Sequence, residues 1–284
     1  MKIFNRQISR RNFLAAIGLT GLGGGAYVRL LEPTWLGVGR HEVRLGKARG
    51  RPPLKVLQLS DFHASSVVSL NFIARSIRLG LSEQPDLICL TGDFITHEFE
   101  HFEKYADILK PLSKAAPTFA IFGNHDGGAW AARHHGYQDT TRVRELLAKS
   151  GVVLLHNAAQ TIRIGDWEFT LVGLGDSWAD ELQPEIAFSS LPAVGVPTIV
   201  LSHNPDTKKQ LKSYAWNLML CGHTHGGQLR LPFIGAPFAP VRDKRFVEGL
   251  HRWDDRWIYI TRGVGNLHGV RFNCPPEISL LTLV

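Results

Sequence analysis

Seven side chains of the kinds that bind divalent cations recur at short spacings: Asp61-x-His63, Gly92-Asp93, Gly123-Asn124, Ser202-His203 and Gly222-His223-Thr224-His225. Carboxylates, imidazoles and one carboxamide, with no thiolate among them, suit Mn²⁺, Fe, Zn²⁺ or Mg²⁺ and disfavour copper(I) or iron–sulfur chemistry. Seven candidates are too many for one ion that must also keep a position open for water, so the number implies two metals. Two cations held about 3.5 to 4 Å apart can share a water, lower its pKa and present hydroxide to a phosphorus whose oxygens they also neutralise. No Ser or Cys nucleophile elbow is visible. Each piece alone is weak, because Asp-x-His is common by chance and Gly-Asp or Gly-Asn pairs are ordinary turns. The conjunction of five clusters carries the reading.

The elements that would position these residues alternate. Short apolar runs precede helical patterns: Leu54 to Leu59 then Leu70 to Leu81, Asp86 to Leu90 then Phe102 to Ala115, Thr118 to Phe122 then Arg142 to Lys149. Further strands are predicted at Val152 to Leu155, Gln160 to Ile164, Glu168 to Val172, Thr198 to Leu201, Leu218 to Cys221, Trp257 to Ile260 and Ile278 to Leu283. This pattern belongs to βαβ units, and the strands are too many for one comfortable sheet. The predicted fold is therefore α/β, a four-layer α/β/β/α sandwich of two packed mixed sheets flanked by helices. Each polar cluster begins where an apolar strand ends, and in α/β sheets the carboxyl ends of strands form the rim where ligands bind.

The ordered set Asp61-x-His63, Gly92-Asp93, Gly123-Asn124-His125-Asp126, His203 and Gly222-His223-Thr224-His225 resembles the five-block signature of the calcineurin-like metallophosphoesterases, over about Leu54 to Gln228. The resemblance is closer still to a bacterial branch of twin-arginine-exported phosphodiesterases, the YaeI/YkuE type. In that branch Gly-His-Thr-His-Gly-Gly-Gln precedes a Pro-rich segment such as Leu231 to Pro240, and the chain ends with stretches like Arg262-Gly263-Val264-Gly265 and Pro276-Glu277-Ile278. It implies that Asp61, His63 and His225 hold one metal, that Asn124, His203 and His223 hold the other, and that Asp93 bridges both. It also implies that His125 is the catalytic group that donates a proton or hydrogen bond to the leaving oxygen, oriented by Asp126 or by a backbone carbonyl. Two divalent ions are the implied cofactor, Mn²⁺ first, with Fe, Zn²⁺ or Mg²⁺ as the other candidates. The family often carries a further acid shortly after the bridging Asp; here that position reads Phe94-Ile95-Thr96, a difference beyond the ligands themselves.

The N-terminus reads as an address. Ser9-Arg10-Arg11-Asn12-Phe13-Leu14 precedes a Gly-diluted apolar stretch from Ala15 to Ala26, the layout of a twin-arginine signal, with small residues at Gly24-Gly25-Ala26 for cleavage. The alternative is an apolar anchor that is kept. Residues 1–26 are thus expected to be the signal, 27–53 a linker, and 54–284 the metallophosphoesterase domain. The expected location is the periplasm or the outer face of the cytoplasmic membrane, and the expected partners are the twin-arginine translocation machinery and a membrane surface.

Charge narrows the substrate. Of the formal +7, four cations (Lys2, Arg6, Arg10, Arg11) lie in the signal, and removing them leaves +3. That residue is too small to argue for a polyanion surface, so nucleic acid is not an expected partner. Arg51, Lys244, Arg245, Arg262 and Arg271 are candidates for local phosphate contacts, with solvated surface the ordinary fate of each. Cys89, Cys221 and Cys274 form no disulfide framework or zinc spacing, and the first two sit in strands as inert buried thiols. Trp130, Phe233, Phe238 and Trp253 could face an acyl chain or a membrane, although core packing is the usual role of large aromatics.

The expected function is a metal-dependent phosphodiesterase acting on a phosphodiester or phospholipid-type substrate. The runner-up is a UDP-2,3-diacylglucosamine pyrophosphatase-like hydrolase of lipid A synthesis, which needs a cytosolic nucleotide substrate and so conflicts with export. From another class comes a non-catalytic, metal-stabilised binding module. His125, which contributes nothing to holding metal, argues against it.

Overall fold

A computed structural model describes residues 23–45, 50–189, 191 and 195–284. The twin-arginine motif and most of the apolar stretch after it lie outside the described residues. Among the described residues no helix is long and apolar enough to cross a membrane.

Apolar runs with both faces buried become the centres of two sheets. In β2 (Leu54–Leu59), Leu54 and Val56 point into the core between the sheets, while Leu57 and Leu59 point to the opposite face and the helices. The same period-two split recurs in β3 (Leu87–Thr91), with Leu87 and Cys89 on one side and Ile88 and Leu90 on the other. With β4 (Thr118–Ile121) and the short β5 (Val153–Leu154), these strands run parallel. The first sheet is completed by β1 (Gly37–Val43) and β12 (Glu277–Leu283), in the order β1-β12-β2-β3-β4-β5. The second sheet has the order β10-β11-β9-β8-β7-β6, from β6 (Ala158–Ile164), β7 (Trp167–Gly173), β8 (Thr198–Leu201), β9 (Leu218–Cys221), β10 (Gly249–Trp253) and β11 (Arg256–Ile260).

Helices α1 (Leu70–Leu81), α2 (Phe102–Ala115) and, after the short α3 (Ala129–Arg133), α4 (Thr141–Lys149) cover the outer face of the first sheet, with α1, α2 and α4 burying Ile73, Ile77, Leu109, Leu112, Leu146 and Leu147 against it. Helix α1 starts at a Ser69 cap, whose side chain accepts from the Phe72 amide. The outer face of the second sheet is covered more thinly. There Leu211, Trp216, Phe246 and the four-residue α5 (Pro184–Ala187), with Phe188 after it, pack on Val172, Val200 and Met219. The α/β sandwich of two mixed sheets stands as expected; its fourth layer is mostly turns.

Two departures follow from tertiary pairing. The stretch expected as linker is in part sheet: Gly37–Val43 runs parallel to β12 in full register, from Gly37 beside Glu277 to Val43 beside Leu283. Its local pattern, Gly-Val-Gly-Arg-His-Glu-Val, carries too few apolar residues to announce a strand. Strand β10 was not expected either. It exists by antiparallel pairing with β11, and each of its side chains is at least partly exposed. The thiols Cys89, Cys221 and Cys274 are all free and buried.

Candidate metal centre

Five strands deliver the site. β2, β3 and β4 lie side by side at the centre of one sheet, and β8 and β9 at the centre of the other. Just past their carboxyl ends come Asp61 and His63, Asp93, Asn124 and His125, His203, and His223 and His225. The loops stay zipped beyond the strands: the Asp61 amide donates to Gly92 O at 2.9 Å, His63 N to Asp93 O at 3.0 Å, and Gly222 N to His203 O at 3.0 Å. Between the sheets, the buried Gln58 amide donates to Thr91 Oγ1 and to the Cys221 carbonyl, both at 2.9 Å, and so ties the two strand-end sets together.

The backbone here is bent into an uncommon conformation. Asp61, His63, Asp93, His223 and His225 all have positive φ, between 49° and 70°. A left-handed L-residue costs roughly 1–2 kcal/mol, and such strain persists only where the surroundings over-determine it. Two glycines show how tight the packing is. A Cβ on Gly123 would lie 2.2 Å from Asp93 Oδ1, and one on Gly222 would lie 2.3 Å from Asp61 Oδ2.

Six of the seven sequence-predicted ligands converge as two groups that share Asp93, and the seventh, Asn124, lines the same cavity as Asp93. Asp61, His63, Asp93 and His225 offer donor atoms within 4.8 Å of one another, as do Asp93, His203 and His223. His63 Nε2 lies 3.0 Å from His225 Nε2 and 3.3 Å from Asp93 Oδ2. His225 Nε2 is 3.3 Å from Asp61 Oδ1, and His203 Nε2 is 3.0 Å from Asp93 Oδ2. All seven residues are buried.

The hydrogen bonds of the rings decide whether a cation fits. His203 Nδ1 lies 2.7 Å from the Thr91 carbonyl, which can only accept, so Nδ1 carries the hydrogen and Nε2 of the neutral ring points a lone pair at the Asp93 carboxylate. Two acceptors at that distance need a positive charge between or upon them. Burial alone would raise the Asp93 carboxyl and lower the His203 ring. Their mutual attraction wins, holding Asp93 well below the carboxylate range and His203 well above the imidazole range. On the other side, the Thr96 hydroxyl lies 3.2 Å from both His63 Nδ1 and the His63 carbonyl, which again leaves Nε2 free to coordinate. Asn124 Oδ1, His203 Nε2, His223 Nε2 and His225 Nδ1 are buried without a hydrogen-bond partner. Buried, unpartnered polar atoms on the candidate ligands fit divalent cations, and the N/O donor set fits the metals named above.

His125 and Asp126 have separate tasks. His125 Nδ1 lies 2.8 Å from the Thr96 carbonyl and its amide donates to Asp93 Oδ1 at 3.0 Å. Burial pushes its ring down to about 4, and that of His223 down to about 3. Of the two orienting partners expected for His125, the backbone carbonyl is the one observed. The Asp126 carboxylate instead accepts from the amides of Asp93 (2.9 Å), Phe94 (2.7 Å) and Gly123 (2.8 Å), pinning the β3 and β4 loops together. Burial and then the Asp93 charge push Asp126 up to about 8, against the pull of the Gly123 and Phe94 amides. Its expected role as orienter of His125 is therefore corrected to orienter of the Asp93 loop. Thr96, which touches both His63 and His125, was passed over because a lone threonine carries no spacing signal.

The centre opens into a cavity of about 490 Å³, whose lining includes Asp93, Asn124, His125, His223 and His225 on the polar side. Its other side is apolar, with Trp130, Trp178, Leu229, Phe238, Leu267 and Val270. Trp130 stands edge-on to His125 (centroids 4.6 Å apart), and Trp178 edge-on to His223 (4.3 Å). Of the four aromatics singled out above, Trp130 and Phe238 line this cavity, Phe233 is exposed, and Trp253 stacks on Trp216 at 5.7 Å, away from the site. Arg271 departs from its expected solvated role. It is fully buried, and its guanidinium donates to the carbonyls of His225 (3.3 Å), Cys274 (2.9 Å), Arg262 (2.9 Å), Gly263 (3.3 Å) and Gly265 (2.5 Å), clasping the His225 turn to the loop behind Asp61.

A family model described as calcineurin-like phosphoesterase matches residues 54–227. The chain is 44% identical to the phosphodiesterase YaeI of Escherichia coli (strain K12), over 98% of this chain and 100% of that protein. It is 32% identical to the uncharacterized metallophosphoesterase YkuE of Bacillus subtilis (strain 168), over 98% of each. It is 30% identical to the UDP-2,3-diacylglucosamine pyrophosphatase LpxG of Chlamydia muridarum (strain MoPn / Nigg), over 88% of this chain and 90% of that protein.

Proposed function

The chain belongs to the calcineurin-like phosphoesterase family, and from that premise we propose that it is a phosphodiesterase of the cell envelope that works with two divalent cations, Mn²⁺ first among them. The observation that carries the reading is the pair of buried donor groups sharing Asp93 at the floor of an open cavity. Asp61, His63 and His225 would hold one ion, Asn124, His203 and His223 the other, with Asp93 common to both. A bound cation pair supplies Lewis acidity toward phosphoryl oxygens and acidifies water.

The chain's own residues supply the rest. Thr91 and Thr96 set the tautomers of His203 and His63, so that Nε2 of each ring faces the ions. Asp126 holds the Asp93 loop, and burial excludes bulk water from the ligand set. His125 keeps Nδ1–H on the Thr96 carbonyl, which leaves Nε2 for the substrate. A proton passed from Nε2 to a leaving oxygen requires the imidazolium. An arriving phosphate anion favours that form and burial opposes it.

Export by the twin-arginine route, which carries folded and metal-loaded proteins, and a membrane-associated substrate complete the proposal. The apolar cavity wall supports a phosphodiester with an apolar portion. Similarity to LpxG supports one second reading, cleavage of a nucleotide–lipid pyrophosphate. Purified protein loaded with Mn²⁺ should bind two ions and hydrolyse a chromogenic diester, with activity abolished by a chelator. No more than one ion at saturation would sink the two-metal reading, and faster turnover of a UDP-lipid pyrophosphate than of any diester would favour the second. Fractionation of cells with and without a block in twin-arginine transport tests the location.

A further inference from the structure

Exposed apolar side chains gather at the cavity mouth. Of the ten large hydrophobic side chains that are exposed among the described residues, two, Trp178 and Phe238, line the cavity itself, and Phe238 is 72% exposed. Phe233 and Ile234 form the tip of a tight hairpin in the same segment, closed by Leu231 N to Gly235 O at 2.8 Å and Gly235 N to Leu231 O at 2.9 Å. Phe233 is 109% exposed and Ile234 69%, and Phe233 has φ of 65°, a conformation that costs a bulky residue energy. The hairpin thus holds its two largest apolar groups outward at a cost in both strain and hydration.

A second exposed set is joined to another part of the cavity lining. Leu30 and Leu31 are exposed, and their turn is tied to the segment carrying Leu267, His268 and Val270: Arg29 Nη1 donates to His268 O at 2.9 Å, and Arg271 N to Val28 O at 3.0 Å. The exposed Val67 packs near Gly269 of that same segment. Seven of the ten exposed groups therefore line the cavity or sit on segments joined to its lining, where chance would scatter them. Basic groups accompany them. Lys244 donates to the Pro237 carbonyl at 3.3 Å and to that of Ala239, and the exposed Arg242 has no carboxylate within salt-bridge distance among the described residues.

We propose that the Leu231–Gly235 hairpin, together with the Leu30–Leu31 turn, docks the cavity mouth onto an anionic phospholipid bilayer. Apolar tips backed by cations suit an interface in which acyl chains lie beneath phosphate headgroups. A lipid phosphodiester would then enter with its apolar part against Phe238, Leu229 and Val270 and its phosphate toward the ligand floor. The proposal deepens the phosphodiesterase reading and rests on it for what is cleaved, but the docking itself does not need catalysis.

The test uses the full chain with vesicles of phosphatidylglycerol and phosphatidylcholine, compared with phosphatidylcholine alone. The double variant Phe233→Ser/Ile234→Ser should lose about tenfold or more in sedimentation with anionic vesicles. Its hydrolysis of a soluble diester with Mn²⁺ should not change, because neither residue lines the cavity. Phe233→Trp should show a blue-shifted emission increment when vesicles are added. Equal partitioning of the double variant and its parent, or an unshifted increment, overturns the proposal. So does loss of a dimer in the double variant without loss of vesicle binding, which would make the hairpin a contact with a second copy. Absence of diester hydrolysis in every variant counts against the phosphodiesterase reading and leaves the docking to be decided by partitioning.

Discussion

The cavity floor is made of the ends of paired strands, whereas its mouth is made of the 228–240 and 266–271 loops, which lie outside both sheets and carry apolar side chains. On the floor buried polar groups fix one another, with Asp126 satisfying three amides, Thr91 and Thr96 setting ring tautomers and Asp93 meeting two imidazoles, and candidate ligands carry atoms left without a partner. At the mouth Phe233, Ile234 and Phe238 meet solvent. The difference separates the chemistry from the choice of what undergoes it. On the proposed reading, reaction geometry sits on the sheets because it tolerates little displacement, and selectivity would sit on the loops.

That division can be broken most severely at its centre. Asp93→Asn should lose the metal pair and nearly all turnover, read by metal analysis together with kinetics; a metal-replete, active variant would show that Asp93 does not join the two groups. His125→Ala should keep both ions and lower kcat by about 10²- to 10⁴-fold, the usual span for removal of a general acid or base. Loss of metal in that variant would move His125 into the ligand set.

Asp126→Ala should leave three buried amides without a partner and cost roughly 3 kcal/mol or more in denaturant unfolding. Metal affinity should weaken by about 10- to 100-fold with it, as for other groups that support ligands. Unchanged stability would mean that water replaces the carboxylate and that the floor is less rigid than its hydrogen bonds imply. The smallest effect belongs to the mouth. Trp178→Ala should raise KM severalfold for a diester with a bulky apolar group and leave kcat within about twofold, since uniform binding is lost and the reacting geometry is kept. A large fall in kcat would join floor and mouth through the Trp178–His223 contact.

Much of the floor was legible in the sequence because its signals are short-range. Apolar runs buried on both faces mark β2, β3, β8 and β9 almost to the residue, and polar clusters at their ends mark candidate ligands. Helices over Leu70–Leu81 and Phe102–Ala115 follow from amphipathic spacing in the same way. The mouth was half-legible. The Pro-rich 231–240 segment drew notice, yet which of its aromatics face the cavity depends on loop packing that no local pattern encodes. β1 was missed because its partner, β12, lies at the far end of the chain. Arg271 was misplaced because an arginine whose terminal nitrogens donate to buried carbonyls looks, in sequence, like any surface arginine.

By itself the sequence determined the donor types, their order along the chain and the strands that end in them, because periodicity and ligand chemistry are properties of neighbouring residues. Only the tertiary structure decided that the donors form two groups meeting at Asp93, that Asp126 serves the Asp93 loop and Thr96 orients His125, and that one rim is apolar. Those outcomes depend on which carbonyls, amides and side chains are brought together from distant segments, and burial makes each such pairing obligatory.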